Sequence, residues 1–186
     1  ASTVGGLTRS LATSEILDQI YEIERHIGER VSNVIIMGIG EPLDNYENVI
    51  RFIRMLSDEN GLHISQRNIT LSTSGLVPKI YDLMIEELSI TLAISIHAPN
   101  DEIRRQMMPV ADRFSMNEIL EACRAYIEET GRRVTFEYTM VQGTNDSREN
   151  AQELSSRLKG MLCHVNLIPL NAVEGRMGSR SVPENI

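Results

Sequence analysis

Short apolar runs alternate with amphipathic stretches along the whole chain. There are five such apolar runs, and most of them are rich in the β-branched residues that strands favour. Glycine, proline or another turn-forming residue ends most of them. The pattern predicts five strands, which cover residues 34–38, 69–72, 92–96, 134–141 and 165–170.

The stretches between these strands show the three- and four-residue spacing of amphipathic helices. The first predicted helix has Thr13 and Ser14 as cap candidates, and a short helix is predicted over residues 101–107. The expected apolar stripe of the first helix consists of Ile16, Ile20, Ile23 and Ile27.

Cap signals mark where three other helices begin. Asn45 precedes the second helix, and Ser115 with Glu118 forms a capping box before a longer one. Asp146 and Glu149 are expected to open the last helix. The second helix is expected to face inward with Val49, Ile50, Ile53 and Leu56.

Alternating strands and helices indicate an α/β fold with a parallel sheet and right-handed crossovers. Because the strands are mostly apolar, the helices are expected to cover the outer side of the sheet. The pattern leaves open whether the sheet closes, since five strands suit an incomplete (β/α) barrel or an open sheet. No linker or low-complexity segment divides the chain, so residues 1–186 are expected to form a single domain.

Composition narrows the classes of function. The net charge of -8 argues against tight RNA binding by this chain alone, because phosphate contacts need a basic surface. No apolar run is long enough to cross a membrane, and the cytoplasm is the expected location. Cys123 and Cys163 fit neither a metal nor a redox spacing, so both are interpreted as small core residues.

Polar residues and glycines follow the predicted strands at their carboxyl ends, the edge where parallel α/β folds bind ligands. They are Gly40, Glu41, Ser72, Thr73, Ser74, Ser95, His97, Tyr138, Gln142 and Asn171. Hydroxyl and amide groups suit a ribose and base edges, while the Glu41 carboxylate suits an ammonium group. The set predicts a pocket for a nucleoside that carries an amino-acid moiety.

Some of these residues also have plainer interpretations. Ser72 and Ser74 are common turn formers, and a single histidine such as His97 is most often structural. Arg104 and Arg105 suit either an anion or a solvated helix face.

Four segments carry a family resemblance: Gly38–Pro42, Ser72–Gly75, Ser95–Arg104 and Asn166–Asn171. Together they resemble the RlmN/Cfr family of radical S-adenosylmethionine (SAM) enzymes, over essentially the whole chain. The segment Ser95–Arg104 is the specific one, whereas Gly-Glu-Pro is shared across radical SAM enzymes. The family methylates C2 or C8 of an adenine in 23S ribosomal RNA, and RlmN members also act on transfer RNA. We expect the RlmN branch, and with it C2.

The resemblance implies a partial (β/α) barrel of the radical SAM type, with a SAM site at the strand ends. The implied SAM-binding residues are Gly40, Glu41, Ser72, Ser95, Ile96, His97 and Asn171. Ile96 stands where family members often have leucine, and Ala172 stands where some have proline. Neither difference is expected to disturb the implied contacts with SAM.

The same resemblance implies that the chemistry needs residues outside this chain. The family binds a [4Fe-4S] cluster through C-x-x-x-C-x-x-C, and Ala1–Thr3 resembles the residues directly after the third cysteine. The first strand, an RNA-binding region and a C-terminal methyl-carrying cysteine are also expected outside the chain. By the family mechanism, a methylated cysteine and a 5′-deoxyadenosyl radical methylate the adenine. The chain is thus expected to hold no catalytic residue and no metal ligand, and to be inactive alone.

Two other functions stay open on the sequence. One is an isolated module that binds SAM or a similar nucleoside without chemistry. The other is an unrelated β/α-barrel enzyme, which would need a lysine at a strand end or a glycine-rich phosphate loop. Lys79 and Lys159 both fall in predicted helices.

Overall fold

The structure, a computed structural model, describes residues 6–171 and 179–182. Helices and strands alternate in the order α1 Thr13–Ile27, β1 Val34–Ile36, α2 Tyr46–Ser57, β2 Ile69–Thr73, α3 Val77–Met84, β3 Thr91–Ser95, α4 Asp101–Met107, α5 Met116–Thr130, β4 Val134–Met140, α6 Arg148–Leu158 and β5 Cys163–Pro169. Short 3-10 helices cover Pro42–Asn45, Gln66–Asn68 and Pro109–Asp112.

The five strands form one sheet in the order β1-β2-β3-β4-β5. β1 pairs with β2 in parallel, and β4 pairs with β5 in parallel from Val134↔Cys163 to Met140↔Pro169. The predicted α/β fold with a parallel sheet is therefore confirmed. β5 begins at Cys163, two residues before the predicted start, because its pairing with β4 extends that far.

The chain divides into two compact units. The first unit comprises residues 1–73 and 87–92, and the second comprises residues 74–86 and 93–186. In the first unit, α2 supplies much of the core. Its four predicted inward residues are all buried, namely Val49, Ile50, Ile53 and Leu56.

The predicted apolar stripe of α1 is wrong in its second half. α1 packs against α2, and its buried residues are Thr13, Leu17 and Ile20. Ile23 and Ile27 are instead 47% and 53% exposed. The first turns are fixed because the Thr13 hydroxyl donates to Asn48 Oδ1 at 3.0 Å, an anchor that helical spacing does not reveal.

In the second unit, α5 begins as predicted and α6 does not. Ser115 and Glu118 form the expected capping box of α5. α6 is capped by Ser147, whose hydroxyl accepts from Asn150 N, so the prediction that Asp146 opens the helix is wrong, whereas Glu149 lies in the first turn as predicted. The Asp146 carboxylate accepts from Gly143 N in the preceding turn, at 2.8 Å.

The two cysteines behave as packing residues. Cys123 is fully buried on α5, and burial raises the pKa of its thiol to about 12. Cys163 is half-buried at the start of β5, and its thiol pKa is also raised. Among the helices of residues 6–171, none has both the length and the apolar character needed to cross a membrane.

Candidate functional site

The first unit places a carboxylate, that of Glu41, five residues after the end of β1. Glu41 Oε1 accepts from Leu43 N at 3.0 Å, which caps the 3-10 helix Pro42–Asn45. The fully buried Leu43 side chain anchors this turn. Gly40 has a φ of 106°, a conformation that only glycine adopts without strain, although no atom lies within 4 Å of its missing Cβ. Local backbone geometry therefore fixes where Glu41 stands.

Ser72 joins this edge of the first unit from β2. The parallel register pairs Ile36 with Leu71, so the segments that follow β1 and β2 leave the sheet at the same edge. Ser72 is only 5% exposed, and the 3-10 helix that Glu41 caps contacts β2. The structure thus brings Gly40, Glu41 and Ser72 to one edge, as the sequence predicted.

The second unit centres on a turn at His97, just past β3. The His97 φ is 52°, a left-handed conformation that is strained for a non-glycine residue. The amides of Ile96 and His97 both donate to the Glu137 carbonyl at 3.2 Å. Thr139 N donates to His97 Nδ1 at 3.0 Å, so the ring proton lies on Nε2.

His97 is neutral at physiological pH. Burial, assisted by the Arg104 guanidinium, lowers the pKa of its imidazole from 6.5 to about 4. A neutral ring with Nδ1 already bonded offers one N–H donor, at Nε2. Such a group recognises a hydroxyl, carbonyl or carboxylate oxygen of a ligand.

Asn145 is the residue of this turn that the sequence analysis missed. Its amide Nδ2 donates to the carbonyls of His97 and Thr139, both at 2.7 Å, and its Oδ1 accepts from Val141 N at 2.7 Å. The side chain is 2% exposed. The only sequence signal was an asparagine shortly after a strand, in a Gly-Thr-Asn-Asp run that also reads as an ordinary turn.

The remaining candidates of the second unit have different surroundings. Ser95 is half-buried and Asn171 is exposed at the ends of their strands, while the Ile96 side chain is fully buried. Ile96 can therefore offer a ligand only backbone atoms. Tyr138 is buried; its hydroxyl donates to the Asn145 carbonyl at 2.7 Å, and burial raises its pKa. Ala172 lies outside the described residues.

The structure contradicts both interpretations of Arg104, because it is neither an anion-binding residue nor part of a solvated helix face. Its side chain is fully buried, with Nη1 donating to Phe114 O at 2.7 Å and Nη2 to Ser74 O at 2.9 Å. It ties α4 to two loops of the second unit and is available to no anion. Arg105 is exposed, 3.9 Å from Asp112.

In the first unit, the polar side chains at the strand ends include the Glu41 carboxylate and the Ser72 hydroxyl. In the second unit, the polar groups near the strand ends include the neutral His97 imidazole, backbone groups and the Asn171 amide. Within residues 6–171 and 179–182, no three His, Cys, Asp or Glu side chains are grouped so that they could hold a metal ion.

The His97 environment predicts a loss of stability in acid. The unfolded chain takes up a proton below pH 6.5, whereas folded His97 resists protonation until about pH 4. This contribution is fully present above pH 6.5 and is lost as the pH falls towards 4. At pH 5 the free energy of unfolding should have fallen by about 2 kcal/mol from this source.

Denaturant unfolding of the wild type and of His97→Asn from pH 7 to pH 4.5 measures this effect. Asparagine tolerates the left-handed conformation and does not titrate. The wild type should lose more stability than the variant across this range. Parallel curves for the two proteins would contradict the prediction.

Comparison with known families adds independent information. The family model described as the Radical SAM superfamily matches residues 5–154 of the chain. This range contains both units in large part, including β1 to β4.

Curated relatives match the chain from end to end. A probable dual-specificity RNA methyltransferase RlmN of Clostridium botulinum (strain Eklund 17B / Type B) is 58% identical over 186 residues, which are 100% of this chain and 54% of that protein. The protein of the same description from Lachnoclostridium phytofermentans is also 58% identical over the whole chain, with 52% of its length covered. The chain therefore spans about half the length of the curated relatives that it matches.

Solved structures also resemble the chain. A radical SAM methyltransferase from Sphaerobacter thermophilus superimposes with a TM-score of 0.93 and 45% identity, covering 98% of this chain and 54% of that one. A domain of a pyruvate-formate lyase-activating enzyme from Bacteroides vulgatus gives a TM-score of 0.62 at 16% identity, covering 83% of this chain and 88% of that one. The second likeness concerns the fold alone.

Proposed function

The chain belongs to the radical SAM superfamily, and on this premise we propose that it is the SAM-binding part of an RlmN-type RNA methyltransferase. The observation that carries the proposal is 58% identity over all 186 residues to a probable dual-specificity RNA methyltransferase. Membership of the superfamily removes the unrelated β/α-barrel enzyme from the alternatives.

We assign the SAM site to Gly40, Glu41, Ser72, Ser95, Ile96, His97 and Asn171. The Glu41 carboxylate accepts hydrogen bonds from the SAM ammonium group, and Gly40 keeps the backbone beside it free of a side chain. His97 donates from Nε2 to an oxygen of the ligand, while Ile96 contributes backbone atoms. Glu41 Oε1 accepts from Leu43 N and His97 Nδ1 accepts from Thr139 N, so these two side chains each have a fixed orientation.

The superfamily also uses a [4Fe-4S] cluster, and the full-length relatives imply one. When bound, the cluster supplies the electron that starts the chemistry. Such clusters are held by cysteine thiolates, and this chain has two cysteines, of which Cys123 is buried with a thiol pKa raised to about 12. The described residues do not fit a cluster, so we assign this chain the binding of SAM.

The proposed substrates are those of the longer protein that contains this chain. We propose that it methylates C2 of adenine in 23S ribosomal RNA and in transfer RNA, and that it works in the cytoplasm. The relatives named as dual-specificity RNA methyltransferases support an RNA substrate. The chain alone, with its net charge of -8, is expected to bind RNA weakly and to be inactive.

Glu41→Gln tests the SAM assignment. The amide oxygen can still accept from Leu43 N, so the turn stays capped while the negative charge is lost. The dissociation constant for SAM should rise at least tenfold, which corresponds to about 1.4 kcal/mol, because a charge-assisted hydrogen bond is removed. Isothermal titration calorimetry of the longer protein measures this change.

The matched control is Glu47→Gln, which removes an exposed carboxylate from the first turn of α2 and should leave SAM affinity unchanged. Equal affinities for the wild type and Glu41→Gln would contradict the assignment. Anaerobic reconstitution with iron and sulfide then separates an enzyme from a binding module. The enzyme gains cluster absorbance and cleaves SAM on reduction, whereas a module binds SAM without cleaving it.

A further inference from the structure

The strained turn at His97 is bonded to the side chain of Asn145, which lies outside the four segments that carry the family resemblance. A left-handed conformation costs a non-glycine residue on the order of 1–2 kcal/mol and persists only where the surroundings enforce it. His97 adopts it with a φ of 52° directly after β3. The surroundings that enforce it come from β4 and from the loop before α6.

Asn145 makes the decisive contacts. Its Nδ2 donates to His97 O and to Thr139 O, each at 2.7 Å, while its Oδ1 accepts from Val141 N at 2.7 Å. One amide therefore joins the end of β3 to the end of β4. Thr139 N completes the arrangement by donating to the His97 ring at 3.0 Å.

The chemistry of this position requires an amide. Two carbonyls need two N–H donors, and the Val141 amide needs an acceptor, so Asn145 uses both amide protons and its oxygen. An aspartate would aim a carboxylate at two carbonyl oxygens, and an alanine would leave all three backbone groups without this partner. Because its side chain is 2% exposed and fully committed, Asn145 acts on a ligand through His97 rather than by touching it.

We propose that Asn145 is a positioning residue of the SAM site. It holds the Ile96–His97 turn in the left-handed conformation that presents the backbone and the imidazole Nε2 to the ligand. This inference rests on the proposed function, since it assigns Asn145 to the same site. It adds a residue that is neither at a strand end nor exposed.

The test uses the longer protein that contains this chain, with SAM as the titrant in calorimetry. Asn145→Ala should raise the dissociation constant for SAM at least tenfold, and Asn145→Asp should raise it further. Asn145→Ser keeps one donor, gives an intermediate value and serves as the second variant if the alanine variant does not fold. Asn48→Ala is the matched control, because Asn48 also bonds backbone and side chain, to Thr13 in the first unit, and should leave SAM affinity unchanged.

A double-mutant cycle with His97→Gly separates positioning from a general loss of stability. Glycine adopts a φ of 52° without strain, so it removes the need for enforcement. In that background, Asn145→Ala should change SAM affinity less than threefold. An equal effect of Asn145→Ala in both backgrounds would overturn the proposal, and so would an unchanged affinity of Asn145→Ala in the otherwise wild-type protein.

The wild-type titration distinguishes a failure of the proposed function from a failure of the positioning role alone. If the wild type fails to bind SAM, the proposed function itself is wrong and the role of Asn145 falls with it. If the wild type binds SAM and the Asn145 variants bind it equally well, the proposed function stands and only the positioning role is overturned.

Discussion

Replacing Arg104 with methionine is expected to lower the free energy of unfolding by about 3 kcal/mol. The guanidinium is fully buried and donates to Phe114 O at 2.7 Å and to Ser74 O at 2.9 Å. Methionine fills much of the same volume, but it leaves two carbonyls without their donors. Each such group costs about 1–3 kcal/mol when buried.

Denaturant unfolding at pH 7 measures the Arg104→Met effect, with Arg105→Met as control. Arg105 is exposed and lies 3.9 Å from Asp112, so its loss should change stability by less than about 0.5 kcal/mol. A second readout is the pKa of His97 by NMR, which should rise in Arg104→Met because the neighbouring positive charge is gone. A change in stability as small as that of the control would show that Arg104 contributes little.

Gly75→Ala should also destabilise the second unit by about 3 kcal/mol, for two additive reasons. Gly75 has a φ of 99°, which strains any residue with a Cβ by about 1–2 kcal/mol. An added Cβ would also lie 2.7 Å from Ile119 Cδ1 and 3.2 Å from Ile119 Cγ1, and overpacking of this kind costs about 1–3 kcal/mol. Thermal and denaturant unfolding give the measurement.

Gly131→Ala is the matched control for the Gly75 prediction. Gly131 has a φ of 65°, but no atom lies within 4 Å of its missing Cβ, so only the backbone strain of about 1–2 kcal/mol applies. Ile119→Val removes the nearest atom and should recover part of the stability in the Gly75→Ala background. Equal losses at Gly75 and Gly131 would mean that Ile119 moves aside without cost.

Local patterns predicted local structure well. The bounds of α4 at residues 101–107 and the capping box of Ser115 and Glu118 were both predicted and are both observed. These features depend on residues within a few positions of one another, so the sequence contains all the information that they need. The parallel α/β class followed for the same reason, from the alternation of two short-range periods.

The local sequence patterns did not predict contacts between residues that are far apart along the chain. α1 buries Leu17 rather than Ile23 because the Thr13–Asn48 anchor fixes which face meets α2. The sequence suggests that Arg104 is a surface residue, because it does not reveal that Ser74 O and Phe114 O accept its hydrogen bonds. Each error has one cause, which is a hydrogen-bond partner that lies 10 or more positions away along the chain.

The same distinction between local and distant contacts applies to the residues proposed for the SAM site. The sequence by itself determined the radical SAM resemblance and the strand-end residues Glu41, Ser72 and His97, because short motifs and strand ends are visible along the chain. Only the tertiary structure decided that His97 is neutral, strained and bonded through Nδ1, and that Asn145 holds it. The charge state of a partly buried group and the support of a strained turn depend on neighbours that only folding brings close together.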